Sequence, residues 1–337
     1  MIKVEKLLDI DKGLSLDHGD PSIASGISSY LSPMENSLVF IKTKKYFSEL
    51  GRLNPCDSSK YSLITTPKLF EELKSQMSSF KSILVTKDFS RSMTLLSKPF
   101  YDLKYEGLNF EVDGRQMGES SVDSFADVAQ GVFIGQNVTI EKNVKIMSGA
   151  VVLANCHIKE GTIIFPNVTL YPFTKIGKNC RIHSGTVIGS DGFGYNFIDG
   201  KHEKIWHLYG VEIGDDVEIG SNTCIDSGCF IDTFIDDGCR IDNQVHISHN
   251  ARVGKHCVLC GKSGLAGSCE LEDYVVFAAG AGAAPNARIG SGSQIAAAAV
   301  VSENALIPPK SVLAGHPARP LKEWLRTKAK IKKLTEQ

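Results

Sequence analysis

No run of 18 residues in this 337-residue chain is both apolar and uncharged, so no segment reads as a membrane-spanning helix. The opening residues, MIKVEKLLDIDKG, lack the apolar core of a secretion signal. Excess positive charge is missing too: 37 Lys/Arg face 38 Asp/Glu, a formal net charge of −1, which excludes a general attraction to nucleic acid. There is no second CxxC to complete a zinc site with Cys257-x-x-Cys260, although nine cysteines are present. These absences lead us to expect a cytoplasmic protein with no stable membrane insertion, no nucleic-acid partner and no bound metal.

Charge is uneven along the chain. From Lys310 onward eight Lys/Arg stand against two Asp/Glu, net +6, which leaves −7 for the remainder. A basic tail on an acidic body points to an acidic partner or a solvated helix. Pro320 is expected to start that helix, with Leu321, Trp324, Leu325 and Ile331 as its apolar stripe.

What the chain does have is a period of six. Aliphatic residues recur at every sixth position from Val122 to Ile188, again from Ile213 to Ile231 and, after a two-residue deletion, from Ile235 to Leu313. In these 30 hexads only Phe277 and Ala283 depart from Val, Ile or Leu. The fifth position is small (Ala150, Cys156, Thr162, Cys180), and positions three and four favour Gly, Asn, Asp, Ser and Pro. Each hexad is therefore a short flat side and a corner, and three hexads close an 18-residue coil. Six of the nine cysteines occupy the small inward position, so packed thiols are the expectation. Residues 1–105 lack the hexad and read as a small α/β domain. SLVFIKTKKYF and KSILVTKDF are its expected strands, and a helix begins at Thr66-Pro67. Residues 106–121 are the expected linker, 122–318 the coil domain and 319–337 the basic helix.

Register sorts the histidines of IDNQVHISHNARVG. His249 takes a corner and His246 an outward face; eighteen residues after His249 comes Gly267, on the same corner one coil up. An imidazole beside a bare backbone N–H is the minimum for acyl transfer, the ring taking a proton and the amide holding an oxyanion. Asp242 is available to orient a histidine.

The strings GSDGFGYNF, IDNQVHISHN and GHPARPLKEW, with the hexads, resemble the UDP-3-O-acylglucosamine N-acyltransferases of lipid A synthesis. The resemblance implies a mainly β fold: a left-handed parallel β-helix with a small N-terminal α/β domain and a C-terminal helix. It implies direct transfer of a 3-hydroxyacyl chain from acyl carrier protein to the 2-amine of a UDP-3-acylated glucosamine, without a covalent enzyme intermediate. No cofactor is required beyond the donor's own phosphopantetheine thioester. His249 is then the general base and Gly267 the oxyanion donor. Phe40 and Tyr46 flank uridine, with Thr43 where the family usually has Asn. Asp191, Phe193, Tyr195, Asp242, Asn243, His246, Asn250 and Asn286 are implied substrate contacts. Lys322, Arg326, Lys328, Lys332 and Lys333 are candidates to receive the acidic carrier protein. A homotrimer, at most peripheral to the inner membrane, is also implied.

Other departures are Pro285-Asn286 for a Gly-His pair, KIWHLYG for KIPQ, His246 for Gln, and AAAAVV at 296–301, which suggests a roomier acyl groove. Competing readings are an acetyl-CoA-dependent nucleotide-sugar acetyltransferase, a zinc carbonic anhydrase using His246, His249 and His256, and a catalytically dead scaffold.

Overall fold

The computed structural model describes residues 1–19, 23–108, 120–315 and 321–335. From Ser121–Val122 to Val312–Leu313 the chain winds through 29 short parallel strands, stacked into flat sheets of nine, ten and ten. Pairing repeats every 18 residues, as in Thr139↔His157 and Lys145↔Ile163, so three hexads make one coil. This is the coil that the repeat predicts, and the left-handed parallel β-helix that the resemblance implies.

Its core is a ladder of first-position aliphatics (Ile140, Ile158 and Ile176 on one side) interleaved with small fifth-position residues such as Ala150, Cys156 and Cys180, all buried. Each buried Ile, Leu or Val stabilises the stack by about 1.5–3 kcal/mol relative to exposure. The corners turn because position four adopts a left-handed backbone, at Asn137, Asn155 and Asn250 with φ of 54°, 58° and 60°. Asn tolerates that conformation better than most residues with a Cβ. Five of the six cysteines expected inward (Cys156, Cys180, Cys239, Cys257 and Cys269) are buried in the coil core, whereas Cys229 is buried in a loop outside it, against the Trp206 carbonyl, and Thr233 takes the inward position; the Cys257 thiol donates to the Glu272 carbonyl at 3.2 Å, as a packed thiol rather than half of a metal site.

Two segments leave the coil, and both leave at the same corner. After Val187–Ser190 the chain makes an antiparallel hairpin, Tyr195–Ile198 with Lys201–Lys204, before returning at Val211–Ile213. One coil later a short loop separates Cys224–Asp226 from Thr233–Ile235. Here the repeat was misread. Ile225 pairs with Ile247 and Ile213 with Ile235, so this coil is 22 residues long: four are inserted, rather than two deleted. Ile231 is a loop residue, not a core hexad, because an aliphatic side chain in an outward loop cannot be told from an inward one by period alone.

The N-terminal region is a five-stranded sheet in the order Leu14–Gly19, Ser82–Thr86, Ser62–Thr65, Ser37–Ile41, Gly26–Ser28, parallel except at its first pair. Period-two alternation sends Leu38 and Phe40 to one face and Val39 and Ile41 to the other. Helix Pro67–Met77 starts as expected, with the Thr66 hydroxyl accepting from the Leu69 N–H. The expected strand over SLVFIKTKKYF stops at Ile41; Thr43 instead caps a short helix, Lys44–Ser48, by accepting from the Tyr46 N–H. The long helix Phe89–Tyr105 was not anticipated. It joins the two parts. The Asn196 amide donates to the Ser90 carbonyl and Thr94 hydroxyl, and Leu208 completes the apolar core on that face. Helix Leu321–Thr335 follows the last coil; Pro320 and the side chains of Leu321 and Trp324 lie outside the described residues.

Candidate active site

His249 follows the strand His246–Ile247 by two residues and sits on the corner directly above both excursions. Its backbone carbonyl accepts from Ser268 N–H at 3.0 Å. Its ring lies between two glycines. A Cβ on Gly267 would fall 2.7 Å from Cε1 and 2.8 Å from Nε2, and one on Gly192 would fall 2.8 Å from Cδ2. Only hydrogen at both positions leaves room for the imidazole.

Nδ1 of His249 is buried, which leaves Nε2 as the nitrogen able to meet a substrate. Burial, reinforced by the neighbouring charge of His246, holds this imidazole below its ordinary pKa. It is therefore neutral at pH 7, the form a base requires. The Gly267 N–H donates to no group among the described residues. Free amides recur at this corner position along the coil; what marks Gly267 is the missing side chain beneath the ring.

Asp226, which the sequence reading overlooked, brings a carboxylate to this face of the coil. It lies 3.7 Å from His246 Nε2, and its pKa is pushed up to about 6 by burial, against the pull of His246 and the His249 N–H. His246 is exposed and its Nε2 also meets the Ser248 hydroxyl at 3.0 Å. Asp191 pairs with Lys204 across the excursion. Phe193, 87% exposed, and Tyr195 form the outer lip with ring centroids 5.0 Å apart.

Asp242 and Asn243 do not join this cluster. One hexad is a third of a turn, so the corner after Ile241 belongs to another edge. There Asp242 accepts from the Asn243 and Gly261 N–H groups, and Asn243 from Ser221 N–H. Asp242, available by sequence to orient a histidine, meets none; Asp226 faces His246 instead, and only coil stacking reveals it. His256, the third histidine of the zinc alternative, stacks on Tyr274, and no three metal-ligating side chains converge among the described residues.

Beside the His249 corner lies a cavity of about 230 Å³ between the N-terminal sheet and the coils. Asn250 and Asn286 face it from alternate coils, and Phe40 and Tyr46 line it from the N-terminal domain. Phe40 is largely buried, edge-on to Phe89 at 5.4 Å and parallel to Phe230 at 6.1 Å; Tyr46 packs on Tyr30 at 4.9 Å. Thr43 is absent from the wall because its hydroxyl is spent on the helix cap. Asn250 also ties down the insertion, its amide oxygen accepting from Cys229 N–H at 2.6 Å. Four cations (Lys42, Lys45, Arg252 and Arg288) and one carboxylate (Glu270) line the space. Arg52–Glu270 and Arg288–Glu49 pairs, both 2.5 Å, clamp the domain to the coils at its edge.

On the outward face above His246 the next two coils present Gly264 and Gly282, then exposed Val300, from the AAAAVV segment. Lys322, Arg326, Lys328, Lys332 and Lys333 all lie exposed on the C-terminal helix. No helix among the described residues is long and apolar enough to cross a membrane.

Coil, corner and interruption together define a hexapeptide-repeat β-helix, and residues 155–190 match the bacterial transferase hexapeptide family (six repeats). More particularly, the chain is similar to the UDP-3-O-acylglucosamine N-acyltransferases of Methylobacterium sp. (strain 4-46), 42% identical over 159 residues (47% of this chain, 45% of the relative), and of Wolinella succinogenes, 42% identical over 171 residues (50% and 53%). The resemblance read from the sequence is borne out by these relatives, and the chain spans about half the length of the curated relatives it matches. Among solved structures it is similar to the Francisella novicida UDP-N-acetylglucosamine acyltransferase, with 25% identity, 64% of this chain and 73% of that chain covered, and a TM-score of 0.41.

Proposed function

We propose that this chain is an N-acyltransferase that moves a 3-hydroxyacyl group from an acyl carrier protein thioester to the 2-amine of a UDP-3-acylated glucosamine. The observation that carries this reading is the neutral His249 imidazole lying on the bare Gly267 Cα, beside the cation-rich cavity.

In the proposed reaction the amine attacks the thioester carbonyl while Nε2 of His249 takes its proton. The oxyanion of the tetrahedral intermediate accepts from the Gly267 N–H. Collapse breaks the C–S bond, and the departing carrier thiolate receives the proton from His249. No enzyme residue is acylated. The cavity suits a uridine diphosphate group: rings for the base, Lys and Arg for the phosphates. The side-chain-free strip at Gly264 and Gly282 offers the acyl chain a trough, and the basic C-terminal helix offers the acidic carrier protein a landing surface. Assembly as a trimer would close the open side of the groove.

The test is acyl transfer by purified protein from 3-hydroxyacyl carrier protein to a UDP-3-O-acylglucosamine, followed by mass spectrometry. An amide product and free carrier thiol are expected, with loss of both in His249→Ala. A strict preference for acetyl-CoA, or turnover unaffected by His249→Ala, overturns the reading.

A further inference from the structure

Among the described residues, five buried side-chain polar atoms have no hydrogen-bond partner: both ring nitrogens of His207, Nδ1 of His249, and the hydroxyls of Ser227 and Ser263. Native interiors leave few such groups. Three of the five belong to two touching rings, since His207 meets His249 edge-on, with centroids 5.3 Å apart at 74°.

His207 is completely buried, yet it is not an ordinary core histidine. A satisfied core histidine would have partners for its nitrogens, whereas a Phe or Leu of similar shape would leave no polar atom bare. The ring is also held in place with care. Gly192 and Gly194 of the DGFGY loop close over it without side chains, and a Cβ on Gly192 would fall 2.9 Å from His207 Nε2. On one side the Trp206 N–H donates to the Ser97 hydroxyl at 3.1 Å; on the other the Leu208 N–H donates to the Cys229 carbonyl at 2.9 Å. The long helix and the four-residue insertion thus pin the segment from both flanks.

We propose that His207 is a positioning residue for His249: a second imidazole that accepts the Nδ1–H of His249, directly or through one water, when Nε2 takes the substrate's proton. Burial, with a further contribution from His249, pushes His207 down to about 4, so it stays neutral and keeps a lone pair to offer. The other charged groups around the pair are already engaged. Asp191 is paired with Lys204, and Asp226 faces His246 at 3.7 Å. The proton count is simple. Nε2 gains one proton, Nδ1 keeps its own while donating it to His207, and Nε2 later returns its proton to the thiolate.

The identity of the proton donor rests on the acyl-transfer reading, but the ring pair can be tested without it. Full-length His207→Phe, His207→Leu and His207→Gln are compared by thermal denaturation, by NMR titration of the His249 ring without substrate, and by pH–rate profiles. Phe and Leu should lower the His249 titration midpoint and reduce kcat roughly 10- to 100-fold with KM for the sugar nucleotide unchanged. Gln, which keeps an acceptor, should restore most of both. If one apolar variant does not fold, the other carries the test; if neither folds, a Gln variant whose His249 midpoint falls as far as that of a variant lacking any acceptor, His207→Ala, overturns the proposal. A folded Phe or Leu variant with an unmoved His249 midpoint and unchanged kcat also overturns it. Shifted titration in a wild-type protein that transfers no acyl group would sink the function and leave the pair standing.

Discussion

The imidazole of His249 rests against the Cα of Gly267, one coil above, closely enough that a single methyl group would lie 2.7 Å from its Cε1. Two residues 18 apart in sequence thereby form one surface, with the ring's buried Nδ1 turned away from solvent.

Gly267→Ala should displace the ring while leaving the coil folded. The corner residue next in sequence, not Gly267, carries the left-handed φ, at Ser268 with 60°. A fall in kcat of about 10²-fold is expected, the scale for losing one oxyanion donor or base alignment. Thermal denaturation should show a much smaller change; comparing kcat with Tm separates the two.

Acid stability should depend on His207. Its folded pKa of about 4 lies below the unfolded value near 6.5. Above 6.5 both states are neutral and no penalty arises. As pH falls from 6.5 to 4 the unfolded chain takes up a proton that the folded chain refuses, so stability drops, by up to about 3 kcal/mol. Asp226 works in the opposite direction: its pKa is raised to about 6, so the folded state binds a proton first and gains stability below that pH. The wild type should therefore show a shallow acid slope. Removing only the histidine term, in His207→Phe, should make the variant more stable relative to wild type at pH 4 than at pH 7. Parallel denaturation series at the two pH values check this.

Arg288→Ala should loosen the domain clamp. It breaks the 2.5 Å pair with Glu49 and the 3.6 Å approach to Glu270, both partly buried. Loss of about 1–3 kcal/mol is expected for hydrogen bonds to charged groups. KM for the sugar nucleotide should rise more than kcat falls, because the cavity wall moves while His249 does not.

Tyr46→Ala should weaken UDP binding with little loss of fold, since Tyr46 is only partly buried and packs mainly on Tyr30. Loss of one stacking face is worth roughly 2- to 10-fold in Kd. Isothermal titration with UDP reads it directly; an unchanged Kd would remove Tyr46 from the nucleotide site.

The coil was legible because a six-residue period has few structural solutions, and the corner assignment of His249 and Gly267 followed from counting by 18. The same counting misjudged Ile231, whose aliphatic side chain mimics a core hexad from within a loop. Asp242 is available to a histidine by sequence proximity alone, whereas each hexad turns the chain by a third of a circle and puts it on another edge. Thr43 was placed in a strand because β-branched residues favour strands, but a hydroxyl ahead of Lys-Lys-Tyr serves equally as a helix cap.

Taken alone, the order of residues decided the repeat, the inward thiols, the bare corner at Gly267 and the histidine beneath it, because local period and residue size leave little else to choose. Tertiary structure decided the rest: that His207, in sequence only a departure from the family pattern, meets His249, that Asp226 faces His246, and that the excursion and N-terminal sheet enclose a cavity beside them. Those contacts depend on where two irregular loops fold back, which is set by packing of the first against helix Phe89–Tyr105 and of the second against Ser29 and Phe40 of the N-terminal domain rather than by any period.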